Sequence, residues 1–314
     1  MTIYSPGVGV ASLVLLAVNV VYATSYVATR LVLDDVPPTT LALLRLVLGA
    51  AVLVPLARRG LTPPSDSPGA RRGLTPPSDS LRSAQGARVF WMGALGFAAA
   101  FALSHWGIAR SSATNAALLI VVEPLTLVVL GPLLLGERLT PREAVGAALA
   151  VAGAVVVVVN GVPGVTLGVL PHWSGDLLLL LSGVAYASYS LLGRTVLTDA
   201  NATAVTARSI VWGAVVMAPL AALEWAAGAR PQVTPSAVAG TLYLALVITA
   251  GGYLMWNWGL ARVEAARAAP FLTVQPVIGA LLGALVLGEP VTRFTAIGGV
   301  LIVLGLWLTV TGRR

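Results

Sequence analysis

The chain has 314 residues, of which 57% are hydrophobic and only 10% are charged, and its mean hydropathy is +0.90. Soluble domains carry about 25% charged residues, so this balance excludes a soluble globular protein. The chain has no cysteine, and His105 and His172 are far apart in sequence, so we expect no metal centre and no cofactor. The net charge of +7 is carried by arginines that lie mostly between apolar blocks, which favours membrane orientation over nucleic-acid binding.

Ten apolar blocks, each bounded by proline, glycine or charge, follow one another along the chain. They are close to the roughly 20 residues that cross a hydrocarbon core as a helix. We therefore predict an all-α polytopic membrane protein of ten transmembrane helices, the first of them retained and not cleaved as a signal. The predicted spans are 10–33, 39–57, 88–109, 113–135, 141–160, 175–197, 203–223, 237–258, 267–288 and 293–312.

The placement of the arginines predicts the orientation of these spans. With the N-terminus in the cytoplasm, the cytoplasmic segments hold 13 arginines and the external segments hold 4. Short cytoplasmic loops of membrane proteins are enriched in basic residues. Both termini are therefore predicted to lie on the cytoplasmic side.

One predicted cytoplasmic loop, 58–87, contains a tandem duplication. The sequence RRGLTPPSDS begins at Arg58 and again at Arg71. Proline, serine and glycine make this loop polar and flexible. It is either a regulatory or lipid-binding arm, or a duplication that is tolerated because the loop is solvated.

The two halves of the chain share motifs at a constant offset. WGIAR at 106–110 returns as WGLAR at 258–262, EP at 123–124 as QP at 275–276, and LGE at 135–137 as LGE at 287–289, each 152 residues later. Near the N-terminus the offset is 164, as between YA at 22–23 and YA at 186–187, and the difference is close to the loop duplication. Each repeat holds five helices, so the second enters the membrane upside down. Such inverted repeats are typical of transporters that bind substrate near the midplane.

The two repeats resemble the EamA-type family of the drug/metabolite transporter superfamily over essentially the whole chain. The motif that carries the resemblance comprises Glu123, Pro124, Gly136, Glu137, Thr140, Gly146 and Gly153. The resemblance implies two five-helix repeats, 1–160 and 161–314, around a central cavity, with the fifth and tenth helices more peripheral. It also implies export or uptake of small polar metabolites, often amino acids or their relatives, across a bacterial inner membrane.

Glu123 lies about ten residues into its span and therefore near the midplane. A carboxylate there usually faces a cavity and has partners. Three roles stay open: an anchor for an amino or other cationic group, a protonatable coupling site, or a brace for the helix break at Pro124. Gln275 and Pro276 repeat this break without a charge, and the Gln275 amide suits either substrate contact or a hydrogen bond between helices.

The first span of each repeat carries polar aromatic residues. Asn19, Tyr22 and Tyr26 recur at helical spacing and share one face. Tyr186 and Tyr189 lie in the matching span of the second half. We predict that these side chains line the cavity, although tyrosines near the ends of spans are often interface anchors instead.

Three further polar residues are candidates for the site. Arg45 lies one to two turns inside its span and is suited to clamping a substrate carboxylate, pairing with Glu123, or snorkelling to the lipid headgroups. His105 and Asn257 precede the matched tryptophans of the two WG motifs. His105 is either a proton relay or a satisfied polar residue near the outer surface.

The leading hypothesis is a secondary transporter, an exporter of small polar metabolites such as amino acids or their derivatives, that works by alternating access. The chain has no phosphate-binding loop, which argues against ATP drive. A drug or organic-cation exporter is the nearest alternative, because a carboxylate among aromatic rings suits a cation. A non-transporting sensor or structural protein is the second alternative, and the spans lack the clustered groups of an enzyme. The expected partners are a small-molecule substrate and the lipid bilayer, with proton coupling open, and the protein is either a monomer or a homodimer.

Overall fold

The computed structural model describes residues 6–59, 79–135, 140–166, 170–196, 202–260 and 269–311. These residues are helical apart from short connections, and no strand occurs among them, which confirms the all-α prediction. Within these described ranges, nine helices are long and apolar enough to cross a membrane, and a shorter apolar helix covers Phe271–Leu287. Most of the duplicated segment, residues 60–78, lies outside the described residues, as do Gly136 and Glu137.

We number the helices α1 to α10 in chain order. The first five are α1 (Pro6–Val32), α2 (Pro38–Arg58), α3 (Asp79–Gly93, a π-helical segment Ala94–Ala99, and Ala100–Arg110), α4 (Ala113–Leu119 and Val122–Leu135) and α5 (Pro141–Asn160). The others are α6 (Trp173–Val196), α7 (Ala202–Ala226), α8 (Pro235–Leu242, a π-helical segment Tyr243–Gly251, and Gly252–Leu260), α9 (a 3-10 turn Ala269–Thr273 and Val274–Leu287) and α10 (Arg293–Thr311).

These bounds agree with the predicted spans to within four residues except at the start of α3. That helix begins at Asp79, nine residues before the predicted start at 88. The extra residues are polar but compatible with a helix, so α3 extends beyond its apolar block, and the apolar part itself begins at Gln85. A prediction based on hydropathy locates the hydrocarbon boundary and not the helix end.

Several helices begin with side-chain caps that the sequence contains. Thr140 and Glu143 form a capping box at the start of α5, in which the Glu143 N–H donates to Thr140 Oγ1 over 3.2 Å and the Thr140 N–H donates to Glu143 Oε2 over 2.9 Å. Thr234 Oγ1 accepts from the Ala237 N–H over 3.1 Å at the start of α8. These caps satisfy N–H groups that a helix leaves free in its first turn.

The helices α5 and α10 pack with their backbones in contact. A Cβ atom on Gly153 would lie 2.6 Å from the backbone oxygen of Gly298, and one on Gly146 would lie 2.7 Å from that of Gly305. A Cβ on Gly298 or Gly305 would in turn lie 2.7 or 2.5 Å from the backbone oxygen of Gly153 or Gly146. Only glycine permits this approach. Gly298 and Gly305 follow Gly146 and Gly153 by 152 residues. The four glycines therefore pack against each other within one chain.

A second pair of contacts also follows the two sequence offsets. A Cβ on Gly49 of α2 would lie 3.0 Å from Thr249 Cγ2 of α8, and one on Gly213 of α7 would lie 2.9 Å from Phe97 Cβ of α3. Gly213 follows Gly49 by 164 residues, and Thr249 follows Phe97 by 152. The π-helical segments of α3 and α8 lie at these two contacts. Equivalent positions of the two halves thus make equivalent contacts.

Both helices that carry the repeated X–Pro motif are interrupted one turn before the proline. The turn at Ile120 and Val121 separates the two parts of α4, and α9 changes from a 3-10 turn to an α-helix after Thr273. Pro124 and Pro276 have no N–H for the carbonyl four residues earlier. In α4 the Glu123 N–H donates to that freed carbonyl of Ile120 over 3.0 Å. This bond holds the Glu123 backbone at the start of the second part of α4.

Candidate functional site

Gln275 is held between α9 and α1 by its own hydrogen bonds. Its Nε2 donates to Asn19 Oδ1 over 2.9 Å, and its Oε1 accepts from the Tyr26 hydroxyl over 3.4 Å. Asn19 is fully buried and donates through Nδ2 to the Leu15 carbonyl over 2.7 Å. Both polar ends of the Gln275 amide are thereby satisfied inside the protein, so this residue braces two packed helices.

Glu123 occupies the matching position of the first repeat and has a different environment. Its side chain is half-buried, and within the described ranges its carboxylate makes no hydrogen bond and no ion pair. The residue that matches Asn19 at the 164 offset is Gly183. A Cβ on Gly183 would lie 2.9 Å from Val122 Cβ and 3.2 Å from the Glu123 N atom. The helix α6 therefore approaches α4 closely, and at the position that matches Asn19 it has no side chain to bond the carboxylate.

Three tyrosines interact electrostatically with Glu123. They are Tyr22, Tyr26 and Tyr186. Tyr22 is half-buried and packs against Gly252 of α8, where a Cβ would lie 3.0 Å from the Tyr22 hydroxyl oxygen. The structure thus brings together residues of α1, α4 and α6 that the sequence analysis selected on separate helices.

An aromatic cluster lies beside these tyrosines. The Tyr186 and Tyr253 hydroxyls form a hydrogen bond, and the Tyr189 hydroxyl bonds Thr206 Oγ1 over 2.8 Å. Ring centroids are 5.2 Å apart for Phe97 and Tyr189, and 5.6 Å for Phe97 and Tyr253. The sequence analysis selected Tyr186 and Tyr189 but missed Tyr253. In the sequence, Tyr253 could have been found through the 152 offset, which matches it to another aromatic residue, Phe101.

Arg45 points into the protein from α2. Its Nε donates to Thr249 Oγ1 over 2.8 Å, and its guanidinium carbon lies 4.5 Å above the centre of the Phe101 ring. The Arg45 guanidinium is within electrostatic range of Tyr22, Tyr26, Tyr186 and Tyr253. We call Glu123, Arg45 and these four tyrosines the central site.

His105 and Asn257 lie at matching positions near helix ends. His105 is 1% exposed, and its Nδ1 lies 3.0 Å from the Pro38 carbonyl oxygen at the start of α2. This contact joins α3 to α2 and uses one ring nitrogen. Asn257 belongs to α8, but its side chain lies outside the described atoms. In the part of the chain that the structure describes, no three His, Cys, Asp or Glu residues are grouped so that they could hold a metal ion.

Three carboxylates at helix ends, which the sequence analysis did not select, connect neighbouring helices. Glu289 accepts from the Ala113 and Thr114 N–H groups, each over 2.7 Å, at the start of α4. Glu224 accepts from the Thr39 N–H over 3.0 Å at the start of α2. The third, Asp176 at the start of α6, is fully buried. Its partners are Ser111 Oγ at 2.5 Å, Asn115 Nδ2 at 3.0 Å and His172 Nδ1 at 2.8 Å.

Comparison with known proteins places the chain among transporters. A family model described as the EamA-like transporter family matches residues 9–159 and 173–311. An uncharacterized transporter of Archaeoglobus fulgidus is 27% identical over 95% of this chain and 96% of its own length. A probable amino-acid metabolite efflux pump of Escherichia coli is 28% identical over 95% of this chain and 94% of its own.

Two further similarities concern a narrower function and the fold. A probable terminal-alkyne amino-acid exporter of Streptantibioticus cattleyicolor is 29% identical over 69% of this chain and 70% of its own. A solved structure described only as a crystal structure of a protein matches with a TM-score of 0.62 and 22% identity, and the match covers 96% of both chains. At this identity the structural match shows that the fold is shared.

Proposed function

Because the chain belongs to the EamA-like transporter family, we propose that it is a secondary transporter that exports amino acids or closely related metabolites across a bacterial plasma membrane. Family membership indicates a transporter and not an enzyme. The relatives named as exporters of amino-acid metabolites support the substrate class. The nine long apolar helices and the shorter one in the described part of the chain support a multi-pass membrane location.

Alternating access between two inverted five-helix repeats, 1–160 and 161–314, is the mechanism that we propose. The paired glycine contacts of α5 with α10, and of α2 with α8 and α7 with α3, support a two-fold relation between the halves. The matched interruptions of α4 and α9 support it as well, since interrupted helices surround the substrate sites of inverted-repeat transporters. The distribution of arginine supports cytoplasmic termini.

One observation carries the proposal. The side chain of Gln275 is hydrogen-bonded to Asn19 and Tyr26, whereas the carboxylate of its counterpart Glu123 has no hydrogen-bond or ion-pair partner among the described residues. Burying an unpaired carboxylate within a membrane span is unfavourable. The residue therefore has a partner that enters and leaves, and the ammonium group of an amino acid supplies the complementary charge. Glu123 is also the one carboxylate near the middle of a span among the described residues, so proton coupling in this part of the chain would use it.

Organic-cation export is the second candidate. The tyrosines in electrostatic range of Glu123 would attract a cation through their ring faces. Arg45 argues against it, since its positive charge lies within range of the same tyrosines. A lipophilic quaternary cation that competes with amino acids for exchange would favour this second function.

The test is counterflow in proteoliposomes with a panel of labelled amino acids. Wild type, Glu123→Gln and the control Asp34→Asn are compared; Asp34 is an exposed carboxylate that pairs with Arg30 at a helix end. We expect exchange by wild type and by the control, and its loss in Glu123→Gln. A Glu123→Gln protein that exchanges normally would remove the anchoring role, and its failure in pH-driven uptake would then assign coupling. A wild-type protein that exchanges no amino acid refutes the proposal.

A further inference from the structure

We infer that the central site recognises both charges of a zwitterionic amino acid, with Glu123 binding the α-ammonium group and Arg45 binding the α-carboxylate. In this arrangement Thr249 is a positioning residue that orients the Arg45 guanidinium. This inference rests on the proposed transport function and names the substrate chemistry of the same site.

The guanidinium of Arg45 is held at one end and free at the other. Its Nε–H donates to Thr249 Oγ1, while its two terminal nitrogens make no hydrogen bond and no ion pair with the described residues. The guanidinium also lies over the Phe101 ring, with its carbon 4.5 Å from the ring centre. A guanidinium presents its terminal N–H groups as a fork that matches a carboxylate. The Arg45 side chain therefore offers a carboxylate contact whose position Thr249 and Phe101 hold.

Local backbone geometry explains why Arg45 adopts this direction. Gly49 lies one turn after Arg45 on the same face of α2, and its lack of a side chain lets α2 approach Thr249 of α8 closely. Thr249 is fully buried in the π-helical segment, and its hydroxyl donates to the Leu244 carbonyl five residues earlier over 2.9 Å. The single hydroxyl proton is thereby used, so the oxygen is left to accept from Arg45.

Each charge of the central site occurs in only one half of the chain. Gln275 stands at the 152 offset from Glu123, and Ser209 stands at the 164 offset from Arg45. Ser209 is fully buried and donates to the Val205 carbonyl over 2.9 Å, while Arg208 beside it is exposed. The two halves therefore differ at both positions, since neither Glu123 nor Arg45 has a charged counterpart. The site has one negative end and one positive end.

The two charges face common neighbours without contacting each other. Within the described ranges no ion pair joins Glu123 to Arg45, since the two ion pairs found there involve other residues. Tyr22, Tyr26 and Tyr186 are each in electrostatic range of both. Among the described residues His105 also interacts electrostatically with Arg45, and its Nδ1 lies 3.0 Å from the Pro38 carbonyl oxygen. A zwitterion bound between Glu123 and Arg45 would pair with both charges.

Selectivity follows from this arrangement. An α-amino acid satisfies both ends of the site, whereas its decarboxylated amine leaves Arg45 unpaired and its N-acetyl derivative leaves Glu123 unpaired. A site built around polar contacts rejects an analogue that lacks one of them. We expect each analogue to compete at least about 10-fold more weakly than the parent amino acid.

The experiment uses the amino acid that wild type exchanges best in proteoliposomes, with its decarboxylated amine and its N-acetyl derivative as competitors. In Arg45→Gln the amine is expected to compete as well as the amino acid, while the N-acetyl derivative stays excluded. Glu123→Gln is expected to lose amino-acid exchange, so it is tested with the labelled N-acetyl derivative, which it should exchange and wild type should not. If the amine remains excluded in Arg45→Gln to the same degree as in wild type, the assignment of Arg45 is overturned.

Thr249 supplies a second test that does not depend on the folding of the charge variants. Thr249→Val keeps the side-chain shape but removes the oxygen that accepts from Arg45, and should reduce the preference for the amino acid over the amine by about 3- to 10-fold. Thr249→Ser restores the hydroxyl and should restore the preference. An unchanged preference in Thr249→Val overturns the positioning role. A wild-type protein without amino-acid exchange instead refutes the transport function itself, so the two failures are distinguishable.

Discussion

Replacing Glu289 by glutamine should loosen the start of α4. The two Glu289 oxygens accept from the Ala113 and Thr114 N–H groups at equal distances of 2.7 Å. A glutamine has one acceptor oxygen, so its NH₂ group would face the second N–H and leave that donor unsatisfied. Hydrogen bonds to charged groups contribute about 1.5–3 kcal/mol, and the charge at a helix N-terminus adds about 0.3–1 kcal/mol. We expect a loss of about 2–3 kcal/mol in the free energy of unfolding.

The measurement is thermal unfolding of the purified protein in detergent at a fixed heating rate. For a chain of 314 residues a loss of this size corresponds to a fall in Tm of about 3–5 °C. Glu289→Ala should fall at least as far, because it removes both acceptors. Asp34→Asn, at an exposed position, should leave Tm unchanged. An unchanged Tm in Glu289→Gln would refute the view that this carboxylate holds α4 in place.

Three other predictions concern packing, the buried polar cluster and orientation. Gly153→Leu should destabilise the protein by about 1–3 kcal/mol in the same unfolding assay, because its Cβ would lie 2.6 Å from a backbone oxygen of α10, whereas Gly86→Ala meets nothing within 4 Å and should be neutral. Asp176→Asn should lower the free energy of unfolding by about 1–3 kcal/mol, because one oxygen replaces two acceptors; a changed half-saturation for substrate would contradict its structural role. A single cysteine at Asp34 should react with an impermeant maleimide in intact cells, and one at Arg142 only after permeabilisation; the opposite pattern would reverse the topology.

The sequence was informative where a local rule acts. Gly146 and Gly153 of the family motif recur as Gly298 and Gly305 at the 152 offset, and these four glycines form the contact between α5 and α10. The prolines Pro124 and Pro276 predicted interruptions, which lie one turn earlier because the missing N–H affects the carbonyl four residues before each proline. Helix bounds followed the apolar blocks, except where α3 continues beyond the apolar block.

The partners of polar side chains were harder to predict because they depend on which helices pack together. The sequence placed Arg45 inside a span but left three directions open, and Thr249 became recognisable only once α2 and α8 were seen in contact. The π-helical segments that position Thr249 and Phe97 have no sequence signal in a single chain. The environment of Glu123 depends on Gly183, which has no side chain to bond the carboxylate. Its counterpart Asn19 bonds Gln275 instead.

The glycine contact between α5 and α10 has a consequence for how such a chain is assembled. The contact uses Gly146 and Gly153 from one half and their counterparts Gly298 and Gly305 from the other. One repeat therefore contains the sequence of both contacting faces. A protein consisting of a single repeat would carry the means to associate with a copy of itself inserted in the opposite direction. Two fragments separated within 161–172 keep both surfaces, and we expect them to reassemble into an active carrier when they are produced together in one cell.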